Sequence, residues 1–259
     1  MGKRAILIAS VGTSQVDALE KTTYRLLSEV KEKFSDIPCY VAFLSHGILN
    51  KMKEKNIDCC GICEALERMS ADGIDEIVIQ PTNLLSGQEN SGLMEQIEPY
   101  RENFTKISVG KPLLFSKDDY IETLRVLYEA AELKGDEALV LIGHGSAHAA
   151  GNTYQNLEYT AYVQGYRNVF VATLEEKSQR MTLRKLGASG YKKVCMMPLL
   201  FVAGYHAAKD IMAEDGSWKT ILENEGYEVR TNFQGIGELV GIREIFKKHL
   251  EDVFGMETT

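Results

Sequence analysis

The chain has 259 residues, of which 44% are hydrophobic and 25% are charged, and it carries a formal net charge of −8. This length can bury a sizeable core, and the composition is that of an ordinary soluble protein. The negative charge argues against nonspecific binding to nucleic acid or to an anionic membrane, because both need a positive surface, and no apolar stretch approaches the roughly 20 residues of a membrane span.

Short apolar runs alternate with amphipathic helical patterns along the whole chain. The apolar runs predict eight strands, at 4–12, 39–45, 76–81, 107–114, 138–143, 168–174, 193–201 and 227–233. Helical patterns such as "DALEKTTYRLLSEVKEKF" and "KDDYIETLRVLYEAAEL" lie between them. Continuous apolar strands that alternate with helices indicate α/β architecture, with parallel sheets covered on both faces.

The two halves of the chain repeat each other. "DGIDEIVIQPTNLLSGQE" aligns without a gap to "SGYKKVCMMPLLFVAGYH", at a shift of 117 residues (190−73). "YVAFLS" matches "FVATLE" and "ASVGTS" matches "LIGHGS", both at shifts near 130. Three matches in the same order favour a duplication. We therefore predict two similar lobes, 1–134 and 135–259, each a four-stranded parallel sheet flanked by helices, with an active-site cleft between them.

Polar side chains fall just beyond the carboxyl ends of the predicted strands. The second half carries His144, Glu175 and His206, and the equivalent positions of the first half carry Thr13, Ser45 and Glu89. In open α/β sheets this edge binds ligands. Singly, these residues have plainer interpretations as a loop histidine, a solvated carboxylate and a strand-to-helix turn. Together, two imidazoles and a carboxylate from three neighbouring strands predict a divalent metal site with positions open to a substrate.

Other motifs are excluded or remain secondary. "GHGSAH" has His148 where a dinucleotide-binding loop needs its third glycine, and the chain has neither a nucleophile elbow nor a Walker loop, so we expect no nucleotide. His148 and His46 are candidates for the rim of the cleft, whereas we expect His249 on the surface of the last helix.

The start of the chain and its cysteines indicate a cytoplasmic protein. The first apolar run is only about seven residues long and leads into a turn motif, which predicts a strand and not a signal peptide. Five cysteines, an odd number, do not form a secreted disulfide framework. The cluster "CCGIC" contains Cys59, Cys60 and Cys63. We interpret it as an incidental helix start, with a redox or accessory metal role as the alternative.

The motifs resemble those of the anaerobic cobalt chelatases, also called sirohydrochlorin cobaltochelatases. "SVGTS", "GKPLLFSKDDY", "GHGSAH", the glutamate of "VATLEE", "MPLLFVAGYHAAKDIMAEDGSWK" and "GIGE" carry the likeness nearly end to end. The related type II chelatases share a two-lobed fold and need no ATP. The resemblance implies that His144, Glu175 and His206 bind the metal, with His144 as proton acceptor. Tyr205 departs from the pattern, since relatives carry an acidic residue before the histidine.

The resemblance implies insertion of Co²⁺ into sirohydrochlorin or precorrin-2, in anaerobic cobalamin biosynthesis. Candidate residues for the tetrapyrrole are Ser10, Thr13, Leu85, Glu89, Phe201 and Val202. Two alternatives remain: a ferrochelatase or nickel chelatase for a related ring, and a haem or metal carrier without turnover. The sequence also leaves a homo-oligomer open.

Overall fold

The computed structural model describes residues 2–145 and 152–255, apart from the side chains of residues 88, 89, 205 and 206. The chain divides into two compact units. Unit 1 comprises Met1–Phe115 and Ile242–Thr259, and unit 2 comprises Ser116–Gly241. Within the described ranges, no helix has the length and apolar character needed to cross a membrane.

Unit 1 is built on a four-stranded parallel sheet in the order β2-β1-β3-β4. Its strands are β1 (Arg4–Ser10), β2 (Cys39–Phe43), β3 (Glu76–Pro81) and β4 (Lys106–Val109). Its helices are α1 (Val16–Lys21), α2 (Thr23–Lys33), α3 (His46–Glu54), α4 (Ile62–Ala71), α5 (Gln88–Ile97) and α11 (Val240–Phe254). Strands β1 and β3 lie in the middle of the sheet, and their apolar runs are buried because helices cover both faces.

Unit 2 repeats this plan with a sheet in the order β6-β5-β7-β8. Its strands are β5 (Glu137–Gly143), β6 (Val169–Thr173), β7 (Lys193–Pro198) and β8 (Glu228–Thr231). Its helices are α6 (Lys117–Ala131), α7 (Asn152–Val163), α8 (Glu176–Ser189), α9 (Tyr205–Met212) and α10 (Trp218–Asn224). The central strand β5 is buried at every residue.

The duplication extends to the strand register. Ala9 pairs with Pro81 in unit 1, and Ile142 pairs with Pro198 in unit 2. In each unit, the residue after the proline donates its N–H to the carbonyl of the residue with which the proline pairs. The N···O distance is 2.9 Å from Thr82 to Ala9 and 2.8 Å from Leu199 to Ile142. The predicted fold class, two parallel four-stranded sheets flanked by helices, is confirmed.

The division into units differs from the boundary predicted at residues 134 and 135. The last helix, α11, belongs to unit 1, where Arg243 and Lys247 both pair with Glu29 at 2.9 and 3.2 Å. Helix α6 precedes the predicted boundary but belongs to unit 2, where it packs against α7. Order along the chain does not reveal which sheet a connecting or terminal helix covers.

The prediction that His249 lies on the surface is wrong. Its side chain is buried, with Nδ1 lying 3.2 Å from the carbonyl oxygen of Lys111. Several neighbouring residues of His249 in the sequence are charged, which favours an exposed position. Because α11 packs within unit 1, His249 instead faces the loop after β4 that contains Lys111.

Candidate metal site

The residues that the sequence predicts as metal ligands follow three adjacent strands of unit 2. His144 directly follows β5, Glu175 lies two residues beyond β6, and His206 is the second residue of α9, which follows β7. Since β6, β5 and β7 are neighbours in a parallel sheet, their carboxyl ends share one edge.

The turn after β5 depends on its two glycines. A Cβ on Gly143 would lie 2.2 Å from Cε1 of Tyr154, so the ring of this buried tyrosine occupies the space above the strand end. Gly145 has φ +97°, a conformation that favours glycine. A Cβ there would lie 2.9 Å from Oε1 of Glu175. The carboxylate of Glu175 therefore lies against the backbone next to His144, whose side chain is exposed.

Glu175 stands at the N-cap of α8 but makes no capping hydrogen bond through its side chain. Its backbone is extended, at φ −72° and ψ 134°, and its N–H donates to Oγ1 of Thr173 at 3.4 Å. Its counterpart Ser45 does cap its helix, since Oγ accepts from the N–H of Ile48 at 3.3 Å. The carboxylate thus takes the place of a structural cap and is left exposed at the sheet edge.

The remaining ligand candidates lie partly outside the described residues. Helix α9 places the backbone of His206 in its first turn, after the extended N-cap Gly204. The side chain of His206 is not described, and neither is any part of His148. Within the residues that are described, no group of three histidine, cysteine or acidic side chains is close enough to hold a metal.

Strand register corrects one of the predicted equivalences between the halves. Ser10 pairs with Phe43 and Gly143 with Thr173, so the residue after each central strand is Val11 in unit 1 and His144 in unit 2. Val11, and not Thr13, is therefore the counterpart of His144. The glycines that follow both adopt positive φ, +82° at Gly12 and +97° at Gly145. Sequence matching missed this because the short loop motifs align equally well two residues apart.

The candidate tetrapyrrole residues have different surroundings. Ser10 is buried and its Oγ lies 3.1 Å from Oγ1 of Thr23, while Thr13 is buried and accepts a hydrogen bond from the N–H of Gln15. Phe201 is 6% exposed. Leu85 and Val202 are half-buried, and the side chain of Glu89 is not described. The structure thus leaves Leu85 and Val202 as the partly accessible apolar candidates.

The thiols of the cysteine cluster do not share a hydrogen-bond partner. The thiols of Cys59, Cys60 and Cys63 donate to the carbonyls of three different residues, at 3.9, 3.3 and 3.9 Å. Burial raises the pKa of the Cys59 and Cys60 thiols above the usual range, so both stay protonated near neutral pH. These contacts favour the structural interpretation. His46, the other secondary candidate, is an exposed residue at the start of α3 in unit 1.

The sequence reasoning missed the contacts of Gly143 with Tyr154 and of Gly145 with Glu175. The Gly-His-Gly pattern signals a tight turn, but no pattern in the sequence names the distant side chains that pack on it.

Comparison with known proteins gives concordant matches. Residues 4–255 match the family model described as "Cobalt chelatase (CbiK)". A sirohydrochlorin cobaltochelatase of Salmonella typhimurium is 30% identical over 257 residues, which cover 98% of this chain and 97% of the relative. Sirohydrochlorin cobaltochelatase CbiKC of Nitratidesulfovibrio vulgaris is 31% identical over 258 residues, covering 96% of this chain and 90% of the relative.

Solved structures share the fold at lower sequence identity. The sirohydrochlorin chelatase SirB of Bacillus subtilis subspecies spizizenii, in complex with cobalt, has a TM-score of 0.68 and 17% identity, covering 96% of this chain and 94% of its own. CbiX, described as the terminal enzyme of sirohaem biosynthesis in denitrifying bacteria, has a TM-score of 0.61 and 16% identity, covering 96% and 99%. At these identities the likeness establishes the fold alone.

Proposed function

The chain belongs to the cobalt chelatase (CbiK) family, as its motifs predict, and we propose that it inserts Co²⁺ into sirohydrochlorin without ATP. The substrate is that named for two relatives about 30% identical over nearly the whole chain. The product is a cobalt-containing ring of the kind that anaerobic cobalamin synthesis requires.

One observation carries the assignment of the site. In unit 2, the Glu175 carboxylate lies against the turn that holds His144, at the sheet edge from which the helix of His206 also begins. We propose that these three residues hold the incoming cobalt ion. Neutral imidazoles and one carboxylate suit a first-row divalent ion and leave positions that the ring nitrogens can take.

The reaction exchanges charge and protons in balance. Co²⁺ forms bonds to the ring nitrogens while two pyrrole N–H bonds break, so two protons leave for each ion inserted. His144 is the proposed proton acceptor once the ion has passed to the ring nitrogens, because its imidazole nitrogen is then free to bind a proton. Its exposed side chain can pass the proton on to water. Glu175 offsets part of the charge of the ion before the ring is engaged.

Sirohydrochlorin bears many carboxylates, whereas this chain has a net charge of −8. Local positive potential must therefore come from the site. Helices α8 and α9 begin at the same edge as the candidate ligands, and helix N-termini favour anions without adding net charge. Lys209, exposed on α9 one turn beyond His206, adds a full positive charge nearby.

We also propose a cytoplasmic location. All five cysteines are free thiols, which is the state that a reducing compartment maintains.

The proposal is tested by absorbance, with purified protein, sirohydrochlorin and Co²⁺, Fe²⁺ or Ni²⁺ in separate reactions. We expect turnover above the spontaneous rate with Co²⁺. His144→Ala and His206→Ala should each lose most of the insertion rate, and Glu175→Gln at least tenfold, with circular dichroism near wild type. Glu102→Gln, at an exposed carboxylate of unit 1, is the control and should keep the full rate.

Three outcomes would contradict the proposal. Stoichiometric uptake without turnover would indicate a carrier. Faster insertion of Fe²⁺ or Ni²⁺ than of Co²⁺ would show that cobalt is not the preferred metal. A full single-turnover rate in any of the three site variants would remove that residue from the site.

A further inference from the structure

The loop between β7 and α9 is fastened by a short segment that follows β8, the strand next to β7 in the sheet. Ile236 donates its N–H to the carbonyl of Leu200 at 2.9 Å, and Gly237 donates to the carbonyl of Phe201 at 3.0 Å. We call Gly235–Glu238 the strap. It is held in turn by Glu238, whose Oε1 accepts from the N–H of Gly235 at 3.0 Å. The strap thus sets the path of the backbone that leads into α9.

The two glycines of the strap leave no room for a side chain. A Cβ on Gly235 would lie 2.6 Å from the carbonyl oxygen of Phe201 and 2.9 Å from the nitrogen of Ala203. A Cβ on Gly237 would lie 2.8 Å from that same oxygen and 2.8 Å from Cε2 of the Phe201 ring. Neither glycine has a positive φ. Close packing against the loop, and not backbone conformation, therefore requires glycine here.

A segment of unit 1 makes the same pair of hydrogen bonds as the strap but lacks its glycines. Leu113 donates to the carbonyl of Asn83 and Leu114 to that of Leu84, both at 2.9 Å. By the shift of 117 that relates the loops, these bonds correspond to those made by Ile236 and Gly237. Leu114 carries a buried side chain at the position where unit 2 has Gly237. These hydrogen bonds are therefore compatible with a large side chain in unit 1, whereas the loop of unit 2 leaves no room for a Cβ on Gly235 or Gly237.

We infer that Gly235 and Gly237 are positioning residues, which fix the loop after β7 and thereby place His206 for cobalt binding. The inference rests on the proposed role of His206 as a ligand and adds residues that do not touch the ion. An added methyl at Gly235 must push the loop backbone by roughly 0.7 Å, from 2.6 Å to an ordinary carbon–oxygen contact of about 3.3 Å. Helix α9 begins at Tyr205, only two residues after Ala203.

The test is Gly235→Ala in the full-length protein, with calorimetric titration of Co²⁺ in the absence of tetrapyrrole. We expect at least tenfold weaker cobalt binding and a changed visible absorption spectrum of the bound Co²⁺. Gly187→Ala is the matched control, because this exposed glycine of α8 in the same unit has nothing within 4 Å of an added Cβ and no positive φ. Its cobalt affinity should equal that of wild type. If Gly235→Ala does not fold, Gly237→Ala takes its place.

A double variant separates positioning from general damage to the fold. In a His206→Ala background, Gly235→Ala should cause no further loss of cobalt affinity, because effects that act through one residue are not additive. A full additional loss in that background would overturn the inference, and so would wild-type affinity in Gly235→Ala alone. Wild-type cobalt affinity in His206→Ala would instead overturn the metal-site proposal on which the inference rests.

Discussion

Gly145→Ala tests whether the Glu175 carboxylate belongs to the site. The substitution introduces a Cβ that lies 2.9 Å from Oε1 of Glu175, 3.3 Å from Cγ and 3.4 Å from Cδ. The oxygen is the far end of a flexible side chain, so the carboxylate moves while the turn stays in place. The φ of +97° adds a backbone penalty of about 1–2 kcal/mol.

Gly190→Ala is the matched control for that penalty. Gly190 has φ +84° at the end of α8, and nothing lies within 4 Å of an added Cβ. Both variants should therefore lose similar unfolding free energy in urea, whereas only Gly145→Ala displaces Glu175.

The expected loss of cobalt affinity follows from the exposure of Glu175. In water, unit charges about 4 Å apart attract by about 1 kcal/mol, so a divalent ion gains about 2 kcal/mol from a carboxylate. Losing most of this weakens cobalt binding about tenfold, or about 1.4 kcal/mol. Calorimetric titration of Co²⁺ into both variants measures the difference. Equal cobalt affinities in Gly145→Ala and Gly190→Ala would refute the reasoning.

Three further predictions concern the helix cap, the thiols and the acid stability of unit 2. Glu175→Ser should be at least as stable as wild type and yet bind Co²⁺ more weakly, by urea unfolding and calorimetry. Replacing all three thiols of "CCGIC" by serine should leave the insertion rate unchanged under reducing conditions; loss of activity in a folded variant would contradict this. The hydrogen bond from Arg230, opposed by burial, lowers the pKa of Glu137 below its ordinary value of 4.5. The stability that this carboxylate contributes is therefore present above pH 4.5 and lost as pH falls through the folded-state pKa. The free energy of unfolding of wild type should exceed that of Glu137→Gln above pH 4.5, and the difference should shrink as the pH falls below 4.5. Glu228→Gln, which removes an exposed ion pair with Lys193, is the control, and its free energy of unfolding should stay close to that of wild type at every pH.

The strands were predictable from apolar runs, but two of the runs extend three or more residues past the strand that they predict. The run at 107–114 continues past β4, which ends at Val109, and the run at 193–201 continues past β7, which ends at Pro198. In unit 1 the extra residues include Leu113 and Leu114, which donate hydrogen bonds to the loop after β3. In unit 2 they belong to the loop after β7, which accepts the corresponding hydrogen bonds from the strap. Burial makes a sequence apolar whether or not the backbone joins a sheet, so the pattern alone cannot mark where pairing stops.

The sequence could nominate the candidate ligands because strand ends in a parallel sheet share one edge. What holds them was not predictable, since it depends on contacts between distant segments. Tyr154 against Gly143, Glu175 against Gly145 and the strap against Phe201 each join residues that no local spacing connects. "GIGE" is recognisable as a motif of the resemblance, yet its function becomes arguable only from the distances in the folded unit.

If Glu175 binds the metal as proposed, unit 2 gives up helix stability at the start of α8, where unit 1 has the capping residue Ser45. A serine cap is worth about 1 kcal/mol over a residue without a capping oxygen, and a carboxylate near a helix N-terminus recovers only about 0.3–1 kcal/mol. Glu175→Ser restores the cap found in unit 1, so it should be about 1 kcal/mol more stable than Glu175→Ala. Both variants lack the carboxylate and should lose the same cobalt affinity. A loss of cobalt binding that tracked stability across the two variants would make Glu175 a structural residue, whereas equal losses at different stabilities would place its effect at the metal.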